Sequence, residues 1–209
     1  MSQTERQKRL RVLIKKLNKQ RKQQASKIDI LCNDMVSAHR AFLHRLQDIG
    51  FVAEFCRSLL GSTDLNHLLA RAGRAIRQEL PGTGVSFFLR QPDGCEIHTL
   101  EKDELLYQGH QGPEDCLDAA LVDCICKSSR PCLREDLLSM GLETDSDIPA
   151  KFSLATLPIA DLGRSLGFVL IWRPLPQVVT AEELRRVNQV MCGLARAIHG
   201  TRAPLPSGK

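Results

Sequence analysis

The sequence predicts an α+β protein: an antiparallel sheet with helices on one face, preceded by a long N-terminal coiled-coil helix. Three observations predict it. No proline occurs before Pro81 and no glycine before Gly50, so little interrupts a helix through the first sixty residues. From Val85 the chain changes to short β-branched and aromatic runs separated by Gly, Pro and Asp turns. Segments of helical periodicity flank those runs, so helices and strands share one domain.

The first helix is expected from about Thr4 to Leu60, rich in Leu, Lys, Arg, Gln and Ala. Leu10, Leu13 and Leu17 step by three and four. Ile28, Leu31, Met35, Ala38 and Phe42 do the same, and Ile49, Val52, Cys56 and Leu59 continue the frame after Arg45 takes a seam position. Such steps keep side chains on one stripe, which must bury against another helix. The eleven residues from Leu17 to Ile28 equal a heptad plus four, the spacing of a stutter. That stretch is almost wholly polar, so the seam is weakest there. The expected dimer seam is Ile28, Leu31, Met35, Ala38, Phe42 and Ile49, in a parallel homodimer, with residues from Ile49 onward packing on their own domain.

Charge divides at the same place. Residues 1–30 hold ten Lys/Arg against two Asp/Glu, a local charge of +8, whereas the remainder carries −3. The basic residues occur on every face of the helix. A solvated tail accounts for them, and contact with nucleic acid or another polyanion is the alternative. No aromatic residue precedes Phe42, so the arm offers no stacking platform for single strands. Apolar residues make up 43% of the 209, and no apolar run approaches the roughly 20 residues of a membrane span. The polar start lacks a signal-peptide core, which makes cytoplasmic residence and eight reduced cysteines the expectation.

The remaining elements follow in order. Asp64 offers a cap for a helix whose stripe is Leu65, Leu68, Leu69, Ala72, Ile76 and Leu80, ended by Pro81-Gly82. Val85–Arg90 and Cys95–Leu100 are strands about a Gln91–Gly94 turn, and Leu105–Gln111 is a third. A helix is expected from Pro113 to Ser128, then a short extended piece, Pro131–Arg134. Glu135–Lys151 is acidic and irregular, with one helical turn, and forms the longest loop. Ser153–Trp172 reads as a hairpin. Thr180-Ala-Glu-Glu caps a last helix with the stripe Leu184, Val187, Val190, Met191, Leu194 and Ile198.

The hairpin carries a family resemblance. Ser153-Leu-Ala-Thr-Leu-Pro158-Ile, then Gly163, then Leu166-Gly167-Phe-Val-Leu170, followed by a helix beginning Thr-Ala-Glu-Glu-Leu, resembles the GAF domain pattern. Asp64-Leu-Asn-His-Leu-Leu69 is similar to the opening of that family's early helix. The resemblance covers residues 50 to 200. It implies a small-molecule sensor or a protein-interaction module without enzymatic activity. The signatures of its cyclic-nucleotide-binding, bilin-binding and methionine-sulfoxide-reducing branches are not matched. No output domain follows the last helix, so the resemblance implies that output passes to a separate partner protein.

Physical reasoning limits the catalytic alternatives. Gly163-Arg-Ser165-Leu-Gly167 fits G-x-S-x-G, but a nucleophile elbow needs strand, Ser, helix, and Ser165 falls between two strands. Cys116, Cys124, Cys126 and Cys132 suggest a redox or iron–sulfur sensor. About 100° per residue, however, puts Cys124 with Ala120 and Leu121 and Cys126 on the other side with Ala119 and Val122. No metal site is therefore expected, and the sequence names no cofactor. A pocket is expected between the sheet and His110–Lys151, with His110, Cys126, Arg134 and Phe152 as candidate lining residues. The domains expected are a basic coiled-coil helix over 1–49, a GAF-like domain over 50–200 and a disordered tail over 201–209.

Overall fold

The computed structural model describes residues 3–92, 94–101, 104–107, 112–142 and 151–202. The chain divides into two compact units, residues 1–49 and 50–209. Helix α1 spans Gln3–Leu59. Every residue described in the first unit before Asp48 is exposed, including Ile28, Leu31, Met35, Ala38 and Phe42, as is Ile49 after it.

In the second unit α1 contributes Phe51, Val52, Phe55 and Leu59 to a core. The sequence frame placed Ile49 and Cys56 there instead. Both are exposed, because the buried face of this helix end is led by Phe55, the larger side chain. Helix α2 is Leu65–Glu79, and Asp64 Oδ1 accepts from the His67 amide at 2.7 Å, as its capping role requires. Strands β1 (Gly84–Gln91), β2 (Gly94–Glu101) and β3 (Glu104–Tyr107) follow. The third strand is four residues long, and the rest of its expected range, 108–111, lies outside the described residues.

The helix expected from Pro113 is two elements. A 3-10 turn, Pro113–Cys116, precedes α3, Ala119–Ser128. Leu117 is extended and Asp118 Oδ1 accepts from the Leu121 amide at 2.7 Å, so Asp118 restarts the helix as an N-cap. Strand β4 is Cys132–Leu133, and α4 is Arg134–Ser139. Within the loop expected over 135–151, the sequence foresaw one turn of helix and the structure gives six residues. Asp136 explains them: its Oδ2 accepts from the Leu133 amide at 3.0 Å. Strands β5 (Phe152–Asp161) and β6 (Arg164–Pro174) form the hairpin, and α5 is Ala181–Arg202. Thr180 and Glu183 exchange hydrogen bonds across the first turn of α5, at 3.3 Å from the Glu183 amide to Thr180 Oγ1 and 2.8 Å from the Thr180 amide to Glu183 Oε2. Residues 201 and 202 of the expected tail end this helix.

The sheet is wholly antiparallel in the order β3-β2-β1-β6-β5-β4. The α+β class and the antiparallel sheet agree with the sequence. The long helices α2 and α5 cover one face, where Phe87, Leu89, Leu157, Val169 and Ile171 meet Leu69, Ile76, Val187 and Leu194. The opposite face is covered as well, by the short helices: Leu121, Ile125 and Leu137 pack on Phe88, Leu154, Phe168 and Leu170. Sequence reasoning placed helices on one face because it read α4 as part of a loop.

Gly167 sits in mid-strand with φ +139. A Cβ there would lie 1.8 Å from the Phe88 carbonyl oxygen and 3.1 Å from Leu89 Cα. Gly167→Ala is therefore expected to cost about 2–4 kcal/mol, combining a disfavoured φ with overpacking against backbone. Chemical denaturation checks it, and an unchanged midpoint would refute the close approach. The β5–β6 turn makes the opposite prediction. Leu162 and Gly163 both have positive φ (49 and 79), the geometry of a two-residue type I′ hairpin, and Leu162 is 94% exposed. Leu162→Asn should raise stability by about 1 kcal/mol, since a leucine gains nothing there and asparagine tolerates this conformation. A lower denaturation midpoint would count against that turn.

Candidate functional site

The face beneath α3 and α4 holds the candidate site. Strand alternation brings Ser86, Phe88, Cys95, Ile97, Thr99, Leu154, Thr156, Phe168, Leu170 and Trp172 to it. Phe88 and Phe168 are cross-strand partners and stack, with centroids 4.6 Å apart and planes 10° from parallel. Trp172 lies over its cross-strand partner Gly84, whose missing Cβ would fall 2.0 Å from the indole ring. Phe152 meets Trp172 edge-on at 5.2 Å.

A polar row crosses this apolar face. Thr99, Ser86, Leu170 and Thr156 are successive partners across four strands. Glu114, buried in the 3-10 turn, accepts from Thr99 Oγ1 at 2.8 Å and from Ser86 Oγ. Thr156 is fully buried, and its Oγ1 has no hydrogen-bond partner among the described residues. A buried hydroxyl without a partner carries a desolvation cost of about 1–3 kcal/mol, so Thr156, unlike Ser86 and Thr99, has bonding capacity left for a polar group of a bound molecule. Sequence reading missed Ser86, Thr99 and Glu114. Their signal was faint: a hydroxyl at one matching position in each of two paired strands, and an acid after Pro113.

The residues singled out from the sequence are dispersed. His110 lies outside the described residues. Cys126 is buried on α3, near Cys95 at the Arg90 end of the β1–β2 pair. Phe152 is at the other end of the face, opposite Pro174. Arg134 is half-buried at the start of α4, and its Nε lacks a partner among the described residues. Cys126 and Phe152 join one apolar cluster but do not meet.

The cysteines separate by burial. Leu121, Val122, Ile125 and Cys126 form the buried side of α3, which leaves Cys124 exposed. Cys124 thus does not join the buried face of Leu121, as the sequence reading had it, because that face runs about 140° from Leu121 to Cys126 and Cys124 lies about 60° beyond its Leu121 edge. Burial pushes the Cys126 thiol up to about 11, with Cys95 beside it adding to the shift. It pushes Cys116 up to about 11 as well, against the opposing effect of a backbone hydrogen bond. Among the described residues no group of His, Cys, Asp or Glu is placed to hold a metal ion. Ser165 lies in β6 paired with Ala160, in a hairpin rather than at a strand-to-helix elbow.

No protein-family model and no curated protein matches the chain. Solved structures do match. The GAF domain of a phosphoenolpyruvate-protein phosphotransferase from Coxiella burnetii is similar with a TM-score of 0.54 at 16% identity, over 75% of this chain and 95% of that one. The corresponding domain from Acinetobacter gives 0.55 at 12% identity, over 78% and 98%. The fRMsr of Staphylococcus aureus, in complex with its substrate, gives 0.50 at 11% identity, over 75% and 95%. The fold is GAF-like. At these identities the likeness shows the fold alone.

His98 supplies a pH-dependent test of the domain. It is fully buried on the α2/α5 face of β2, level with Phe87, and its Nε2 is 3.2 Å from Glu96 Oε1. Burial lowers its pKa below the ordinary 6.5, against the raising effect of Glu96. The unfolded chain then binds the proton more tightly, so stability is full above about pH 6.5 and falls as the pH drops below it. The fall in melting temperature from pH 7.5 to 5.0 should be smaller in His98→Gln than in the wild type. An equal fall in both would assign the acid sensitivity elsewhere.

Proposed function

We propose that this chain is a non-enzymatic cytoplasmic signalling module: a parallel coiled-coil homodimer carrying a GAF-type sensory or interaction domain, with output passed to a separate protein. The observation that carries the reading is the uncovered seam. Ile28, Leu31, Met35, Phe42 and Ile49 are 58–69% exposed on one stripe of α1. A helix apolar along one side buries that side against a partner. Pairing two copies in parallel gives each domain a neighbour of its own kind.

The sensory half of the reading rests on the polar row of Ser86, Thr99, Glu114 and Thr156 inside the aromatic face. A small ligand with hydrogen-bonding groups would meet Glu114 and the hydroxyls there, under α3 and α4. The non-enzymatic half is supported by the chemistry of the nucleophiles. The thiols of Cys116 and Cys126 are held protonated at neutral pH, which withholds the reactive thiolate.

Replacing Leu31, Met35 and Phe42 together by Glu should produce monomers while the melting transition of the sheet domain persists. Light scattering across a dilution series reads the outcome. A wild-type protein that is monomeric at micromolar concentration would defeat the dimer and favour a heteromeric coiled coil.

A further inference from the structure

The exposed stripe of α1 has an eighteen-residue repeat. Leu10, Ile28 and Leu46 are eighteen apart, as are Leu13, Leu31 and Ile49, and likewise Leu17 and Met35. Eighteen residues make five turns at about 3.6 per turn, so each triplet returns to the same side of a straight helix. At about 100° per residue these eight positions, with Ala38 and Phe42, occupy a sector of about 80°. All ten side chains are exposed, Leu46 at 47% and Leu10 at 53%.

The repeat is one heptad plus one eleven-residue step. A seven-residue repeat imposes a left-handed supercoil and an eleven-residue repeat a right-handed one, so the two cancel over eighteen. A strict heptad from Ile28 would need Arg45 in the seam. On a straight helix Arg45 lies about 60° from the centre of the stripe, outside its edge, and Leu46 falls within it. Five of the arm's ten cations lie opposite the stripe, whereas Arg6 falls on its centre line. Lys8, Arg11, Lys15, Lys19 and Lys22 are all exposed and share a sector on the side opposite the stripe.

We propose that two copies of this chain pair through this stripe as straight helices without a supercoil, with Leu46 rather than Arg45 in the seam. The proposal rests on the dimer reading above and specifies its geometry. The occupant is a second copy because a heptad-patterned helix drifts from a 3.6-periodic stripe by about 20° per heptad. A copy carries the identical period and stays in contact from Leu10 to Ile49. It also leaves the row from Lys8 to Lys22 facing outward, so those five cations do not stack against their counterparts.

The test is sedimentation equilibrium on the full chain as wild type, Leu46→Glu and Arg45→Leu, with thermal melting of the sheet domain as the fold control. A straight seam gives a wild-type dimer that Leu46→Glu weakens at least ten-fold and Arg45→Leu changes by less than three-fold. If Arg45→Leu tightens the dimer ten-fold or more, or Leu46→Glu leaves it unchanged, the straight seam is overturned while the dimer reading stands. A monomeric wild type overturns both. Should Leu46→Glu lose its melting transition, Leu46→Gln replaces it, with the same ten-fold criterion reduced to three-fold.

Discussion

The sheet depends on a contact that only a hydrogen atom can occupy. Where Gly167 passes Leu89, its missing Cβ would overlap the Phe88 carbonyl. That approach lets β6 pair with β1 from Gly84–Trp172 to Leu89–Gly167 and with β5 on its other edge, where the register shifts after Ile159. Register then decides everything above and below the sheet. A slip of one residue would exchange the two faces, sending Phe87 and Val169 to the short helices and Ser86 and Leu170 to the long ones. The glycine therefore fixes both the core and the polar row through the strand register.

The two faces do different work because their side chains differ. The α2/α5 face is almost uninterrupted aliphatic packing, with buried Leu, Ile, Val and Ala on both layers. The tie outside it is electrostatic: Arg173 reaches Glu183 at 3.1 Å and Arg186 reaches Glu79 at 2.6 Å, joining helix ends to the sheet and to each other. The opposite face combines stacked aromatics with Glu114 and three hydroxyls under short helices. Short helices bury less area and open at lower cost than long ones. Binding and release are more readily accommodated on that side than against α5.

Much of this architecture was legible in the sequence, and the exceptions have a common cause. The hairpin, its Pro158 and its glycines could be read because each residue type answers a local backbone demand. Asp64, Thr180 and Glu183 were legible as caps for the same reason. The break at Leu117-Asp118 was missed because Asp118 competes with Pro113 for the start of a helix, and both satisfy the local rule. Phe55 was missed because a strict heptad frame selects Cys56, whereas the domain selects the larger side chain. The polar row was invisible because it exists only after β1, β2, β5 and β6 are in register. Periodicity shows which residues share a face within one element. It does not show which faces meet.

The arm presents the reverse situation, in which sequence and structure give the same information. Its described residues before Asp48 are all exposed, so helix arithmetic specifies its surface. In the proposed dimer two arms of +8 would repel each other, and the five cations on the far side of the seam would contribute less to that repulsion, by distance and by screening over about 8–10 Å. The polar stretch Asn18–Lys27 separates the triplet Leu10, Leu13, Leu17 from the longer stripe beginning at Ile28. A seam interrupted there gains little from its first triplet unless the second is already paired. Pairing would thus begin at Ile28–Ile49, where net charge is lower and the apolar positions are denser, and extend towards the basic end. The stronger pairing segment is then the one nearest in sequence to the GAF-like domain, and the segment most sensitive to salt is the one farthest from it.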